Sequence, residues 1–248
     1  MNAITLRNAS LNIHINTRET KSIKSLLLKS VTGGRLKKTS RGASIAALSG
    51  VTCDITHGER VALIGHNGSG KTSFLRLISG IYQCTSGLVE INCKVYPMIQ
   101  KSFITGIDLS GFQAIKGHYL LTNNSLKGFK EYAEEIIDFS GLGDFIHMPM
   151  KGYSEGMSAR LLFSLLTSGD HECLALDEGF GTGDSEFFDK AKIRLEKFIS
   201  SAGTLVLASH SDDLLRKFCT RGLVFKKGKI EYDGDIEKSL HFYHSSND

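Results

Sequence analysis

Residues 65–72 read Gly-His-Asn-Gly-Ser-Gly-Lys-Thr, which fits the spacing G-x-x-x-x-G-K-[ST] of a phosphate-binding loop. Glycines at this spacing let the backbone curl until its N–H groups face inward toward phosphate oxygens. The positive end of the following helix adds to that field. Lys71 would reach the β- and γ-phosphates, and the Thr72 hydroxyl would ligate Mg²⁺. The candidate nucleotide-binding residues are Gly65, His66, Asn67, Gly68, Ser69, Gly70, Lys71 and Thr72, with the His66 side chain facing outward.

A second candidate is Cys173-Leu174-Ala175-Leu176-Asp177-Glu178, an apolar strand that ends in two acids. Beside a phosphate loop, Asp177 would hold the metal through a water. Glu178 would accept or orient the proton of an attacking water. The plainer alternative is an exposed acidic pair capping a helix. A third candidate is Tyr153-Ser154-Glu155-Gly156-Met157, which opens a helix. Ser154 and Gly156 would offer a hydroxyl and free N–H groups to an anion. Alternatively, Ser154 does no more than cap that helix.

These candidates need elements to position them. The apolar run Val61-Ala62-Leu63-Ile64 before the loop reads as a buried strand, and Ser73–Ile78 after it as helix. Strands are expected at 3–9, 47–55 and 59–64, with a turn at His57-Gly58, and again at 173–176 and 204–208. A helix lies near 187–199, and a hairpin turns at Lys227-Gly228. Residues 100–165 read mainly helical, with 130–140 clearly amphipathic. Strands alternating with helices around a phosphate loop imply an α/β chain with a parallel sheet covered on both faces.

At 248 residues with 41% hydrophobic and 23% charged content, the chain has an ordinary globular composition. No run approaches 18 apolar residues, so no membrane span is expected. The five cysteines are scattered without a C-x-x-C, which favours reduced thiols. Charge is uneven. Residues 18–41 hold eight basic residues against Glu19 alone, a net +7, while the whole chain carries +4. In this insert (about 17–44), Ile23, Leu26, Leu27 and Val31 recur at helical spacing. It reads either as a helix packed on the domain with a solvated basic face or as a surface for anionic lipid or a membrane partner.

The order of motifs resembles that of the ATP-binding subunit of ABC transporters, over nearly the whole chain. The phosphate loop is followed by a helical insert, then Tyr153–Met157 at the place of the family's LSGGQ signature. Next come Asp177-Glu178, Gly181-Thr182-Gly183-Asp184 at the D-loop, and Ser209-His210. The resemblance implies that His210 contacts the γ-phosphate as the switch histidine. It also places Gln100 near the Q-loop glutamine, which joins Thr72 and Asp177 around the metal. Tyr-Ser-x-Gly-Met-x-x-Arg-Leu at 153–161, the Gly-Asp ending of the D-loop and the long first insert are similar to ATPases of bacterial polysaccharide exporters. Leu109–Ala114 resembles that group's Leu-Thr-Gly-Arg-Glu-Asn, with Phe112 and Gln113 departing from it. The family stacks adenine on an aromatic ring near the first strand. Here no Phe, Tyr or Trp precedes Phe74, and His14, or Ile13 with Ile15, stands at that place.

What the resemblance implies is a single ABC ATPase domain over 1–248: a RecA-like P-loop core, an antiparallel β subdomain and a helical subdomain at about 100–165. It implies ATP and Mg²⁺ as cofactors and hydrolysis by Glu178 and His210. It further implies a homodimer in which Ser154 and Gly156 face the other copy's loop, and an integral membrane permease as partner. The substrate would be a lipid-linked, O-antigen-like polysaccharide handled through the permease at the cytoplasmic face of the bacterial inner membrane, with no nucleic acid partner. The alternatives are an importer or small-molecule exporter of the same family, or a soluble P-loop ATPase. Only Ser245–Asp248 follow His244, so no glycan-binding β-sandwich, which needs on the order of 100 residues, is expected.

Overall fold

The computed structural model describes residues 1–15, 36–39, 42–98, 108–169, 171–177 and 185–246. Its contacts divide into two units. The first comprises Met1–Ile99, His171–Glu178 and Ala202–Asp248, and the second Gln100–Asp170 and Gly179–Ser201. The second unit thus extends beyond the helical subdomain expected at about 100–165 and also takes in Ser185–Ser201.

The first unit holds two sheets. One is antiparallel, built from β1 (Asn2–Ile15), β2 (Leu36–Thr39), β3 (Gly42–Thr56) and β5 (Ser86–Ile91) in the order β2-β3-β1-β5. The other contains β4 (Arg60–Ile64), β6 (Val95–Met98), β7 (Cys173–Asp177), β8 (Thr204–Ala208), β9 (Arg221–Lys226) and β10 (Lys229–Asp235). Its order is β10-β9-β4-β8-β7-β6, parallel throughout except for the β9–β10 hairpin. The central strands are the continuous apolar runs. β8 (TLVLA) is buried along its whole length and β4 (RVALI) in its last four residues, as a sheet covered on both faces demands. Pro97 lies in β6, the edge strand, where a missing N–H is tolerated.

Side chains of both sheets meet α1 (Lys71–Ile78) in one core. Leu6, Leu48, Ile55, Leu63, Phe74 and Phe225 are buried there, and the Phe74 and Phe225 rings lie 5.3 Å apart. Burying side chains of this size contributes about 1.5–3 kcal/mol each. Two further helices, α6 (Asp212–Phe218) and α7 (Ile236–Ser245), complete this unit.

The second unit is helical: α2 (Gly111–Asn123), α3 (Phe129–Ser140), α4 (Glu155–Leu166) and α5 (Ser185–Ser201), with 3₁₀ turns at Gly143–His147 and Met150–Gly152. Ile115, Ile136, Ile146, Leu161 and Leu165 form its main core. Phe139, Phe163 and Phe187 form a smaller aromatic cluster, with the Arg194 guanidinium 4.1 Å above the Phe139 ring.

Several boundaries differ from expectation. The first strand runs to Ile15 rather than ending at residue 9, and the tail of the basic insert is strand, because Leu36–Thr39 pairs with the start of β3. β5 and β6 were not anticipated. β5 is exposed on both faces and so lacks an alternating pattern, and β6 is short and carries a proline. The apolar positions Ile23, Leu26, Leu27 and Val31 lie outside the described residues.

Candidate active site

β4 delivers the phosphate loop and α1 carries it away. Gly65 has φ +149°, and a Cβ there would lie 2.5 Å from Phe225 O and 2.7 Å from Ser69 Oγ. Only glycine fits. Gly70, the residue before α1, has φ +124° and packs closely on β3 and Gly228. The Lys71 side chain is buried and turns back over the loop, its ammonium donating to the carbonyls of Gly65 and His66. Ser69 N donates to His66 O at 3.1 Å and closes the turn.

The hydroxyl of Thr72 donates to Asp177 Oδ2 at 2.6 Å, across from the end of β7. His210 follows β8, and its Nε2 lies 3.0 Å from Asn67 Oδ1. A cavity of about 470 Å³ is lined by Asn67 to Ser73 of the loop and α1, by Asp177, by Ala208, Ser209 and His210, and by Ile13, Ile45 and Ala47. Within the first unit, then, Gly68, Ser69, Gly70, Lys71, Thr72, Asp177 and His210 are brought together as expected. Gly65 and His66 contribute carbonyls to Lys71. The His66 ring bonds Asn67 O at 2.8 Å and faces a separate cleft beside Phe242 and Tyr243.

The residues suit a nucleoside triphosphate and a hard cation. Lys71 and the first N–H groups of α1 supply positive potential to an anion. Thr72 Oγ1 and Asp177 Oδ2 are adjacent oxygens of the kind Mg²⁺ prefers. Ser69 Oγ is buried and has no hydrogen-bond partner among the described residues, a polar atom still to be satisfied at the loop. Opposite the loop, Ile13 and Ile45 are direct partners in the β1–β3 ladder and both line the cavity. Ile13, one of the residues the sequence offered at the place of the adenine-stacking ring, thus lines the cavity, and the side chains of His14 and Ile15 lie outside the described residues.

Ser154 and Gly156 belong to the second unit. Ser154 is the N-cap of α4, its hydroxyl accepting from Met157 N at 3.1 Å, and Gly156 lies in the first turn. The Tyr153 hydroxyl donates to Phe145 O at 2.8 Å. Gln113, one of the two departures from the exporter pattern, completes a capping box with Ser110. Its side chain accepts from Ser110 N at 2.9 Å while Ser110 Oγ accepts from Gln113 N at 3.2 Å. Glutamine does here what glutamate would do. Phe112, the other, packs on Phe129 with ring centroids 5.7 Å apart. Glu178, Gln100 and residues 181–184 lie outside the described residues.

Sequence reasoning missed three contributors. Ile45 and Ala47 reach the cavity through strand register, which no local pattern encodes. Gly228, in the β9–β10 turn, donates its N–H to Ser69 O at 2.6 Å and accepts from Ser49 N at 2.9 Å, so the hairpin buttresses the loop. Positive φ at Lys227 (52°) and Gly228 (80°) marks that turn, and its Lys-Gly pair was the available signal.

Known proteins align with this arrangement. The sequence pattern of the ABC transporter family matches residues 48–181. The O-antigen export system ATP-binding protein RfbE of Yersinia enterocolitica is 35% identical over 232 residues, 93% of this chain and 97% of that protein. The teichoic acids export ATP-binding protein TagH of Staphylococcus haemolyticus is 34% identical over 79% of this chain and 74% of that protein. Among solved structures, a dimeric post-hydrolysis ATP-binding cassette bound to ADP and Pi superposes with a TM-score of 0.64 at 19% identity, covering 94% of this chain and 98% of that one. A phosphate loop whose Thr72 meets an acid at the end of β7 and whose Asn67 meets a histidine after β8, in a chain so aligned, establishes that the protein belongs to the ABC transporter family.

Proposed function

We propose that this chain is the ATP-hydrolysing subunit of an exporter that moves a lipid-linked polysaccharide, O-antigen-like, across the bacterial inner membrane. The observation that carries the reading is the 35% identity to an O-antigen export ATPase over 93% of the chain, in a protein whose Lys71, Thr72, Asp177 and His210 line one cavity.

In this reading Lys71 and the loop N–H groups bind the β- and γ-phosphates. Thr72 and Asp177 hold Mg²⁺, with Gln100 completing the set. When bound, the ion supplies charge neutralisation on the phosphate oxygens. Glu178 accepts the proton of the attacking water, and His210 donates to the γ-phosphate. Two copies assemble around two ATP molecules, with Ser154 and Gly156 of one copy on the phosphate of the other. The chain acts as one ABC ATPase domain on the cytoplasmic face of the membrane, bound to a permease that handles the glycan. No helix among the described residues is long and apolar enough to cross a membrane.

Glu178→Gln tests the reading. The variant should bind ATP normally, lose hydrolysis and elute as an ATP-dependent dimer on gel filtration. In cells it should deplete surface glycan while lipid-linked glycan accumulates inside. Near-normal turnover would refute the assignment of Glu178, and undiminished surface glycan would refute the substrate.

A further inference from the structure

The contact between His210 and Asn67 joins two fixed backbones. On one side, the His66 ring donates to Asn67 O at 2.8 Å and Ser69 N closes the turn on His66 O at 3.1 Å. On the other, Ser209 Oγ accepts from Ser211 N at 2.9 Å, and Ser211 Oγ accepts from Leu214 N at 3.3 Å as α6 begins. His210 is thus held between two local hydrogen bonds, and its ring crosses to the loop. An amide oxygen can only accept, so at 3.0 Å from Asn67 Oδ1 the Nε2 carries the hydrogen and donates. Both side chains line the phosphate cavity.

We propose that Asn67 is a positioning residue that holds the His210 ring with its Nε2–H directed at the phosphate end of the cavity. The inference rests on the reading of His210 as a donor to the γ-phosphate. The amide is suited to this by being neutral. It orients the N–H without adding negative charge beside the triphosphate, and it yields the N–H to a phosphate oxygen, because a charged acceptor makes the stronger bond. Both side chains are exposed, so the contact biases the ring's orientation by about two- to tenfold rather than locking it. Asn67 therefore acts on turnover through His210, and little on ATP affinity.

A double-mutant cycle on the full chain tests this, with saturating ATP turnover and ATP affinity measured for N67A, H210A and the double variant. N67A should lower kcat by about three- to tenfold and leave ATP affinity within about twofold, while in the H210A background the same change should lower kcat by less than about twofold. Equal losses in both backgrounds, or no loss from N67A, would overturn the inference and leave the His210 reading intact. Near-normal turnover of H210A would overturn both. If N67A itself disturbs the loop and weakens ATP binding, N67D takes its place. Its carboxylate is a charged acceptor that competes with the phosphate for the Nε2–H, so kcat should fall by at least about threefold, and by less than about twofold in the H210A background. A kcat within about twofold of the unaltered chain, or equal losses in both backgrounds, would overturn the inference.

Discussion

In the first unit the Thr72 hydroxyl donates to an acid 105 residues away in sequence, and His210 bonds a loop residue 143 positions earlier. In the second unit Ser110 and Ser154 direct their hydroxyls to N–H groups three residues on, within their own helices. Both regions are rich in glycine and hydroxyl residues, and both carry motif residues. Long-range partners from separate elements make a convergent site in the first. Local caps leave the second internally satisfied. A motif of the second kind acquires chemistry only when another surface is presented to it, which in the proposed function is the loop of a second copy.

Two crowded glycines, one in each unit, give the largest expected difference. At Gly65 the obstacle is the backbone carbonyl of Phe225, whose oxygen would lie 2.5 Å from an added methyl carbon, and φ is +149°. Strain of roughly 1–3 kcal/mol at such a position corresponds to about five- to 150-fold weaker ATP binding. Gly65→Ala should show that loss by nucleotide titration. At Gly111 the added carbon meets a side-chain hydroxyl, that of Tyr153. Gly111→Ala should lower the melting temperature and leave ATP affinity unchanged. Equal loss of affinity in both variants would mean that the two units are not energetically distinct.

A subtler separation is available at Ser154. Asparagine caps helices about as well as serine, whereas alanine costs about 0.5–2 kcal/mol. Ser154→Asn should therefore keep thermal stability while turnover falls, because in the proposed function the hydroxyl meets the other copy's nucleotide and would be gone. Ser154→Ala should lose both. Full turnover in Ser154→Asn would reduce this residue to its cap.

The smallest effect concerns the base. Ile13 and Ile45 present an aliphatic wall to the cavity, which in the proposed function would contact a purine without reading it. ATP and GTP should bind with similar, weak affinity. Ile13→Tyr should tighten ATP binding by about tenfold, from the roughly 1–3 kcal/mol that base stacking contributes. Strong rejection of GTP by the unaltered chain would contradict this.

The phosphate loop was legible because its chemistry is local. Glycines, Lys71 and Thr72 must follow one another in a fixed order to curl around an anion. β4, β7 and β8 were legible for a similar reason, since a strand buried on both faces is a continuous apolar run. What escaped is set by pairing. Ile45 reaches the cavity because it stands opposite Ile13 in the β1–β3 register, and that register shifts four times along the ladder. β5 pairs with β1 although its own sequence carries no alternation. Ser154 showed the converse: the cap was readable from sequence, while what the cap presents outward depends on a surface that the chain's own helix does not supply.

The hydrogen bonds of Gly228 bear on how the chain matures. The phosphate loop emerges early in synthesis, but Ser69 O finds its 2.6 Å partner in the turn between β9 and β10, more than half the chain later, and that same turn ties back to Ser49. Domains fold as units during synthesis at about 5–20 residues per second. A ribosome-bound chain that stops short of residue 228 thus carries every residue of the loop without its buttress. Nucleotide competence should arrive as a late event of biogenesis, and ATP should act as a probe of completed chains.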